Sequence, residues 1–453
     1  MDRSRTRQPD MLRGPVFSNM MRFFVPIMLG TLLQQLYSIV DAIILGRYAG
    51  KTALAAVGGS DYFIISLIVG FFVGFASGAS VVVSQCCGAG ERGDAQKAVH
   101  TAMLLAVLIG AVMTALGIVS APWFLSALDT PQELLHDSSV YIVWYYAGMI
   151  PMMVYNMGAG ILRATGDSRR PLLFLVVCAA ANTALDFLLV AVIPLGAAGA
   201  AIATSLSQLI CAALVVVTLL RETGLCRLEP RLLRISGNHL RRIVVIGLPM
   251  GLASTMYSFT NLFVQKATNL LGTDAVAAWS VFWKLDGVFW PVSNAIGIAV
   301  STFVGQNYGA RNRARIRTCI RVGLVMHLGF SALYSAALYL TRTRTVPIFS
   351  TDPNVIREGV LITSYLALTY PLFSFTEVLS SGMRGTGNAV MPTVLTLFGI
   401  CFARLAILHF VTFPHLSDFT VAICFPATWA VSSLMFLLYY KFGRWMPEYP
   451  SGG

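Results

Sequence analysis

Residues 172–193 read LLFLVVCAAANTALDFLLVAVI. At 1.5 Å per residue such a helix is about 33 Å long, enough to cross a hydrocarbon core about 30 Å thick. The run is apolar on every face apart from a short polar patch that includes Asn182 and Asp186. A strand of an outer-membrane barrel would instead alternate apolar and polar residues over about ten positions. The stretch is therefore a membrane helix, and the rest of the chain repeats its character. Of 453 residues 56% are hydrophobic and 11% charged, against roughly 25% charged in soluble domains. About 250 hydrophobic residues at about 20 per span supply about twelve crossings, and the mean hydropathy of +0.72 agrees. The sequence predicts an all-α polytopic membrane protein with spans over 22–46, 53–86, 97–126, 138–163, 171–194, 197–220, 242–271, 275–304, 319–341, 359–383, 392–413 and 419–441.

The net charge of +12 suggests nucleic acid only if the cations cluster without regard to topology, and they do not. They fall in alternate loops: Arg3, Arg5, Arg7 and Arg13 before the first span, then Arg92 and Lys97, Arg169 and Arg170, Arg221 to Arg242, Arg311 to Arg317, and Lys441 with Arg444. The opposite loops are poor in Lys and Arg except at Arg342, Arg344 and Arg357. This bias places both termini in the cytoplasm. The excess charge is topological, with contact to anionic lipid as a by-product, and no nucleic-acid partner is expected. The first apolar run is long, follows a polar stretch and lacks a small-residue cleavage pattern, so no cleavable signal peptide is expected. The eight cysteines lie in spans or cytoplasmic segments without metal-ligand spacing, and read as small buried apolar residues rather than disulfides.

An internal repeat organises the chain. Gly50-Lys-Thr-Ala53-Leu-Ala55-Ala56 is echoed by Gly272-Thr-Asp-Ala275-Val-Ala277-Ala278, and Gln85-Cys-Cys-Gly88-Ala89 by Gln306-Asn-Tyr-Gly309-Ala310. Arg163-Ala-Thr165-Gly166 with Pro171 is echoed by Arg384-Gly-Thr386-Gly387 with Pro392, and Pro26 corresponds to Pro249. All four matches share an offset of 221 to 223 residues. Two halves of six spans, an even number, enter the membrane from the same side, so a pseudo-twofold axis runs along the membrane normal. The expected division is a tail at 1–21, one lobe at 22–220, a cytoplasmic linker at 221–241, a second lobe at 242–441 and a tail at 442–453. Two equivalent bundles across a midplane cavity suit a transporter that rocks between two open states.

Charges kept in the bilayer interior are functional candidates. In the first half they are Asp41 and Asp186, with Asn182 one turn before Asp186 on the same face. Asp41 and Asp186 lie roughly 8 and 12 Å from the outer ends of their helices, and Thr204 lies roughly 10 Å deep on the sixth span. Three helices thus offer polar groups at one depth, suited to a proton or Na⁺. The competing structural reading puts Asp41 among headgroups and uses Asp186 to hold the bundle. Gln34, Tyr37 and Asp41 form one helical stripe after Pro26, which faces a cavity more readily than lipid. In the second half Lys284, Asp286, Glu377 and Arg404 are interior, with Lys266 near an outer end. Lys284 and Asp286 are two residues apart and do not face each other, so Glu377 is the expected partner of Lys284, in a coupling or a purely structural network. The Met and aromatic residues of the fourth span either line an adaptable cavity or simply pack the core. Asp61 is expected off the cavity.

Taken in order, Gln34, Tyr37 and Asp41 after Pro26, Arg163-Ala-Thr-Gly-Asp-Ser-Arg-Arg-Pro171, Asn182 and Asp186, Thr204, Trp283-Lys-Leu-Asp-Gly287, Val304-Gly-Gln-Asn-Tyr-Gly-Ala310 and Met383-Arg-Gly-Thr-Gly387 resemble the MATE (multidrug and toxic compound extrusion) efflux transporters over essentially the whole chain. The resemblance implies two six-helix lobes and export of drug-like, often cationic amphiphiles in exchange for H⁺ or Na⁺. It implies a first-lobe cation site at Asp41, Asn182, Asp186 and Thr204, with Na⁺ at Asp41 and Asp186 as one option, and Gln34, Tyr37 and Asn156 on the cavity wall. Tyr257 stands where one branch of the family carries a Glu, and part of that role passes to Glu377. A lipid-linked oligosaccharide flippase and a dedicated metabolite exporter are the alternatives on this frame. The flippase needs a cationic lumen, whereas the interior cations here are few and balanced by acids. No nucleophile-base arrangement, zinc spacing or phosphate-binding Gly loop points to an enzyme. A monomer in the bacterial cytoplasmic membrane is expected, touching lipids and amphiphilic small molecules and needing no cofactor beyond the coupling ion.

The topology makes a direct prediction. A cysteine introduced at Gly237 in intact cells should resist an impermeant thiol reagent added outside and react once the membrane is opened; labelling from outside would reverse the assignment.

Overall fold

The computed structural model describes residues 9–50, 52, 53, 57, 60–127 and 132–448, and the side chains of 58–67 lie outside the described set. Twelve spans follow one another: α1 Val16–Tyr48, α2 Ser60–Ala89, α3 Arg92–Ala127, α4 in two segments Gln132–Ala147 and Met149–Ala164, α5 Arg169–Asp186 with a π-helical extension Phe187–Val192, and α6 Gly196–Arg221. The second half continues with α7 Gly237–Asn269, α8 in segments Thr273–Asp286 and Phe289–Gly309, α9 Arg313–Thr345, and α10 in segments Pro353–Ala367 and Phe373–Gly385. It ends with α11 from Val390–Thr396 through Ala403–Ile407 with two π-helical stretches, and α12 Asp418–Phe442. Eleven of the spans are long and apolar enough to cross a membrane unaided. The twelfth, α4, is assembled from two segments broken at Gly148. There is no strand among the described residues.

Local chemistry sets several helix starts. The Asn312 side chain accepts from Arg315 N at 3.0 Å to begin α9, and Asp352 accepts from Asn354 N at 2.8 Å to begin α10. Ser417 and Thr420 form a capping box at α12. The helix α7 starts at Gly237 rather than near residue 242, so the linker shortens to 222–236. Its extra turn carries Arg241 and Arg242, which continue a helix beyond the apolar run because an α-helix satisfies its backbone groups with or without lipid around it.

The repeat is visible in the irregularities. The break of α4 at Gly148 has its counterpart at 368–372 in α10. The π-helical stretch after Asp186 in α5 has its counterpart at Leu408–Thr412 in α11. Both follow the offset of 221 found in the sequence.

The halves are nevertheless interwoven. Met20, Phe23, Phe24 and Ile27 of α1 bury themselves among Val292, Phe303 and Ile320 of the second half. Reciprocally, Ile243 and Ile246 of α7 join the first half's core. Each half's opening helix therefore spends its basic-end portion against the other lobe. Beyond Pro26, α1 touches both lobes: Gly30 lies against Leu172 and Leu175 of α5, while Thr31 Oγ1 donates to the Pro291 carbonyl at 3.4 Å.

The lobes are latched at the end that carries the basic loops. Gln85 Nε2 donates to the Gly385 carbonyl at 2.9 Å, and its repeat partner Gln306 Nε2 donates to the Ala164 carbonyl at 2.7 Å. Beside them the backbones of α2 and α8 meet: a Cβ on Gly88 would lie 1.9 Å from Gln306 O, and one on Gly309 would lie 2.0 Å from Gln85 O. Gly74 and Gly78 of α2 make similar approaches to Gly251 and Gly247 of α7. The segment before α1 is held as well, because Asn307 Nδ2 and Arg315 Nε both donate to Met11 O, at 3.0 and 3.1 Å.

Gly88→Ala therefore forces backbone apart at the latch, and should lower the melting temperature of the purified protein by several degrees, since overpacking costs about 1–3 kcal/mol. Gly93→Ala, at a helical and exposed position with nothing within 4 Å, should leave it level or raise it. Equal melting temperatures for the two variants would remove the close approach as a constraint.

Candidate functional site

Three features of α5 converge on Asp186. The helix brings Asn182 and Asp186 to one face, both are almost fully buried at 1% and 0% exposure, and the backbone turns π-helical immediately after the acid. Such π-turns concentrate at functional sites because they rotate the side chains that precede and follow them out of ordinary helical register. From α1, Asp41 faces Asp186 at hydrogen-bonding range. Both Asp186 oxygens, Asp41 Oδ1 and both polar atoms of Asn182 are buried without a hydrogen-bond partner among the described residues. Two carboxylates are acceptors only, and two like charges at contact distance disfavour joint ionisation. The pair is completed chemically by a shared proton or by a hard cation between oxygen ligands.

Tyr37 lies within this group, close to Asp41, Tyr145, Cys178 and Cys211, and Tyr145 stacks on Tyr141 with ring centroids 5.8 Å apart. Gln34 is half-buried on the same helix, one turn before Tyr37. Thr204 is half-buried on α6, and no hydrogen bond links it to either acid among the described residues. The structure thus brings Asp41, Asp186 and Tyr37 together, with Asn182 adjoining on α5. Asp61, expected off the cavity, has a side chain outside the described residues.

Asn156 belongs to a different place. A cavity of about 360 Å³ lies between the lobes, walled by α2, α4, α7, α8, α10 and α11. Asn156, Arg163, Tyr257, Asn294, Glu377 and Arg384 supply its larger polar groups, and Ser77, Ser80, Ser84, Ser301 and Ser381 its hydroxyls. Gln34 and Tyr37 are not among its lining residues. Glu377 accepts from Ser381 Oγ at 3.3 Å and has the Arg384 guanidinium beside it. Gly297 makes room for this carboxylate, since a Cβ there would sit 2.1 Å from Glu377 Oε1. Arg163 and Arg384 are repeat-related, and each holds a buried Nε without a partner among the described residues. In the sequence these two arginines stand out as repeat markers and as members of the motifs that carry the family resemblance. Their recurrence at one offset in two apolar halves was the available sign of a role.

The second-half trio does not form one network. Lys284 is exposed on the lobe, with its ammonium 5.6 Å from the centre of the Phe349 ring. The cation beside Glu377 is Arg384, about two turns of α10 further on, so the expected Lys284–Glu377 pair is replaced. The reason is geometric: Lys284 sits in the first segment of α8, and the break after Asp286 separates it from the segment that lines the cavity. Asp286 is 4% exposed and accepts from Tyr370 Oη and from Trp290 Nε1, both at 2.6 Å. It sits amid Phe289, Tyr334, Phe373 and Trp429 as a satisfied structural acid.

Arg404 lies one residue past the repeat position of Asn182, because Pro171 and Pro392 set the offset on this span at 221. It is fully buried, donates from Nη1 to Asn261 Oδ1 at 2.9 Å, and stacks over Phe425 and Tyr257 at 4.5 and 5.4 Å. The lobes therefore share a frame but differ in the charge kept on the corresponding spans: paired carboxylates on α1 and α5, a guanidinium on α11.

Comparison with known proteins agrees with this duplicated architecture. The chain is 27% identical over 436 residues to the probable multidrug resistance protein YoeA of Bacillus subtilis, covering 94% of each chain. It is 28% identical over 358 residues to an FAD transporter of Shewanella oneidensis, covering 76% of this chain and 77% of that one. Its fold matches a MOP superfamily transporter from Pyrococcus furiosus with a TM-score of 0.88 at 22% identity, covering 95% and 96% of the two chains. One family model, MatE, matches twice, over residues 26–188 and 249–408, each match running from the proline of an opening helix into the irregular fifth or eleventh span, and the chain accordingly belongs to the MATE family of efflux transporters.

Proposed function

We propose that this transporter is a cation-coupled antiporter that exports drug-like amphiphiles by alternating access, with Asp41 and Asp186 as the coupling site. The observation that carries the reading is the facing of two buried carboxylates, beside Asn182, without a donor from the described residues. Antiport requires that ion and substrate favour different states of the lobe, and a ligand shifts an equilibrium only by its differential affinity. Asp41 is on α1, which packs on the second lobe through its basic-end half and on α5 of its own lobe at Gly30. An ion drawing Asp41 to Asp186 therefore acts on a helix that touches both lobes. Binding from outside tightens the outer half of α1 against α5, and that movement is transmitted to the lobe interface.

The positive-inside bias puts the latched, basic end in the cytoplasm. Latching there supports an outward-facing reading of this arrangement, in which Gln85 and Gln306 must release their carbonyls before the cavity is reached from inside. The protein then works in the bacterial cytoplasmic membrane, with H⁺ or Na⁺ as the coupling ion and no other cofactor. A dedicated metabolite exporter is the second reading. Arg163 and Arg384 outnumber Glu377 in the cavity, which favours substrates that carry an anionic group beside an apolar body.

In proteoliposomes, Asp41→Asn and Asp186→Asn should each reduce ethidium efflux driven by a pH or Na⁺ gradient to the protein-free background at equal reconstitution. Wild-type efflux in both variants would move coupling to another site. Inhibition of wild-type ethidium efflux by a phosphate-bearing amphiphile, relieved in Arg163→Gln, would favour the second reading over a purely cationic specificity.

A further inference from the structure

A cluster of metal-ligating side chains lies at the basic end, away from both the acid pair and the cavity. Cys86 Sγ near the end of α2, a carboxylate oxygen of Asp94 in the first turn of α3 and a ring nitrogen of His239 in the first turn of α7 all lie within 4.8 Å of one another. Cys86 is 4% and His239 2% exposed. The imidazole is already oriented: Nδ1 engages Ser236 Oγ at 2.9 Å, and Nε2, 3.8 Å from Asp94 Oδ2, is buried with no hydrogen-bond partner. With Nδ1–H donating to the Ser236 hydroxyl, Nε2 presents its lone pair to a metal, the arrangement of most metal-bound histidines.

We propose that Cys86, Asp94 and His239 bind a divalent transition metal, with Zn²⁺ as the best-fitting ion, and so clasp the entry of α7 to α2 and α3. One thiolate, one imidazole and one carboxylate are ligand types that Zn²⁺ accepts, whereas Mg²⁺ and Ca²⁺ require oxygen donors throughout. The set supplies three ligands and leaves the fourth position to water. The other charged groups facing it are Arg242, which contacts Cys86 and donates to Gln85 Oε1 at 2.8 Å, and Lys97, on the His239 side. These cations oppose a dication and the two anionic ligands offset them, so binding is reversible and weaker than at a closed four-ligand structural site. Cys87, next in sequence, faces away from the cluster, with its sulfur 3.0 Å from that of Cys226.

Cys86 and Asp94 come from the first half of the chain and His239 from the second, so the ligands assemble only while the start of α7 rests on α2 and α3. An ion that needs this arrangement stabilises it. Zinc on the basic side therefore holds that end closed and slows the transport cycle. This last consequence rests on the alternating-access reading; the binding itself does not.

The test begins with chelator-treated, full-length protein titrated with Co²⁺. Wild type should develop a thiolate-to-cobalt charge-transfer band that saturates at one ion per chain and is displaced by Zn²⁺. Cys86→Ser should abolish the band, Cys87→Ser should leave it, and His239→Ala should lower Co²⁺ affinity by more than the roughly tenfold that loss of an outer-shell partner such as Ser236 costs. Absence of the band in wild type would overturn the site without recourse to any variant, and so would its survival in Cys86→Ser or its loss in Cys87→Ser. For the clasp, Zn²⁺ on the basic side should slow ethidium efflux by wild type and not by His239→Ala; equal slowing of both would overturn that part while leaving the cobalt result to stand.

Discussion

The rest of the structure depends on how closely two backbones approach where α2 meets α8. In lipid no hydrophobic gain drives helix against helix, so association relies on van der Waals contact and on polar groups satisfied across the interface. Gly88 and Gly309 bring the backbones together without intervening side chains, and at that distance Gln85 and Gln306 reach carbonyls on the helices opposite. Both devices come in repeat-related pairs, so one local solution is used twice about the pseudo-twofold axis. The crosswise packing of α1 and α7 depends on the same approach. Each opening helix packs on the other lobe through its basic-end portion, Ile27 on α1 and Gly251 on α7 still belonging to that contact.

Within that common frame the lobes have diverged in charge. The first keeps two acids facing each other on α1 and α5, the second a buried arginine on α11 held by Asn261 and two aromatic rings. A bilayer interior tolerates few charges, and each retained group here has a distinct environment. Asp286 is fully engaged by Tyr370 and Trp290, and Glu377 shares the cavity with Arg384. Among the described residues the Asp41–Asp186 pair combines like charge with buried oxygens that lack donors, and the proposed coupling site rests on that combination. The cavity, with two arginines and one glutamate among its polar residues, differs electrostatically from the acid pair of the first lobe.

Much of this was legible in the chain. Spans of about 20 apolar residues identify themselves, because length and hydropathy are properties of contiguous sequence. The offset of 221 to 223 residues announced the duplication, and Asp41, Asn182 and Asp186 stood out as costly groups in apolar runs. Even the weakest span, α4, was anticipated as a crossing, although its break at Gly148 was not. What stayed hidden was which side chains meet. A helix that is apolar around its whole circumference has no amphipathic stripe to indicate its rotation, and sequence says nothing of relative depth beyond a few residues. Charge alone pairs Lys284 with Glu377, whereas a helix break leaves Lys284 by Phe349 and Arg384, seven residues further along α10, beside the glutamate. The grouping of Cys86, Asp94 and His239 was out of reach for the same reason: Cys86 and Asp94 are eight residues apart across a turn and His239 begins another lobe, so no spacing motif joins them. The sequence by itself determined the membrane class, the twofold plan and the acids of the first lobe, because these follow from local hydropathy and self-similarity; only the tertiary structure decided the interlocked opening helices, the partners of the buried charges and the ligands gathered at the basic end, because those depend on how uniformly apolar helices are turned against one another.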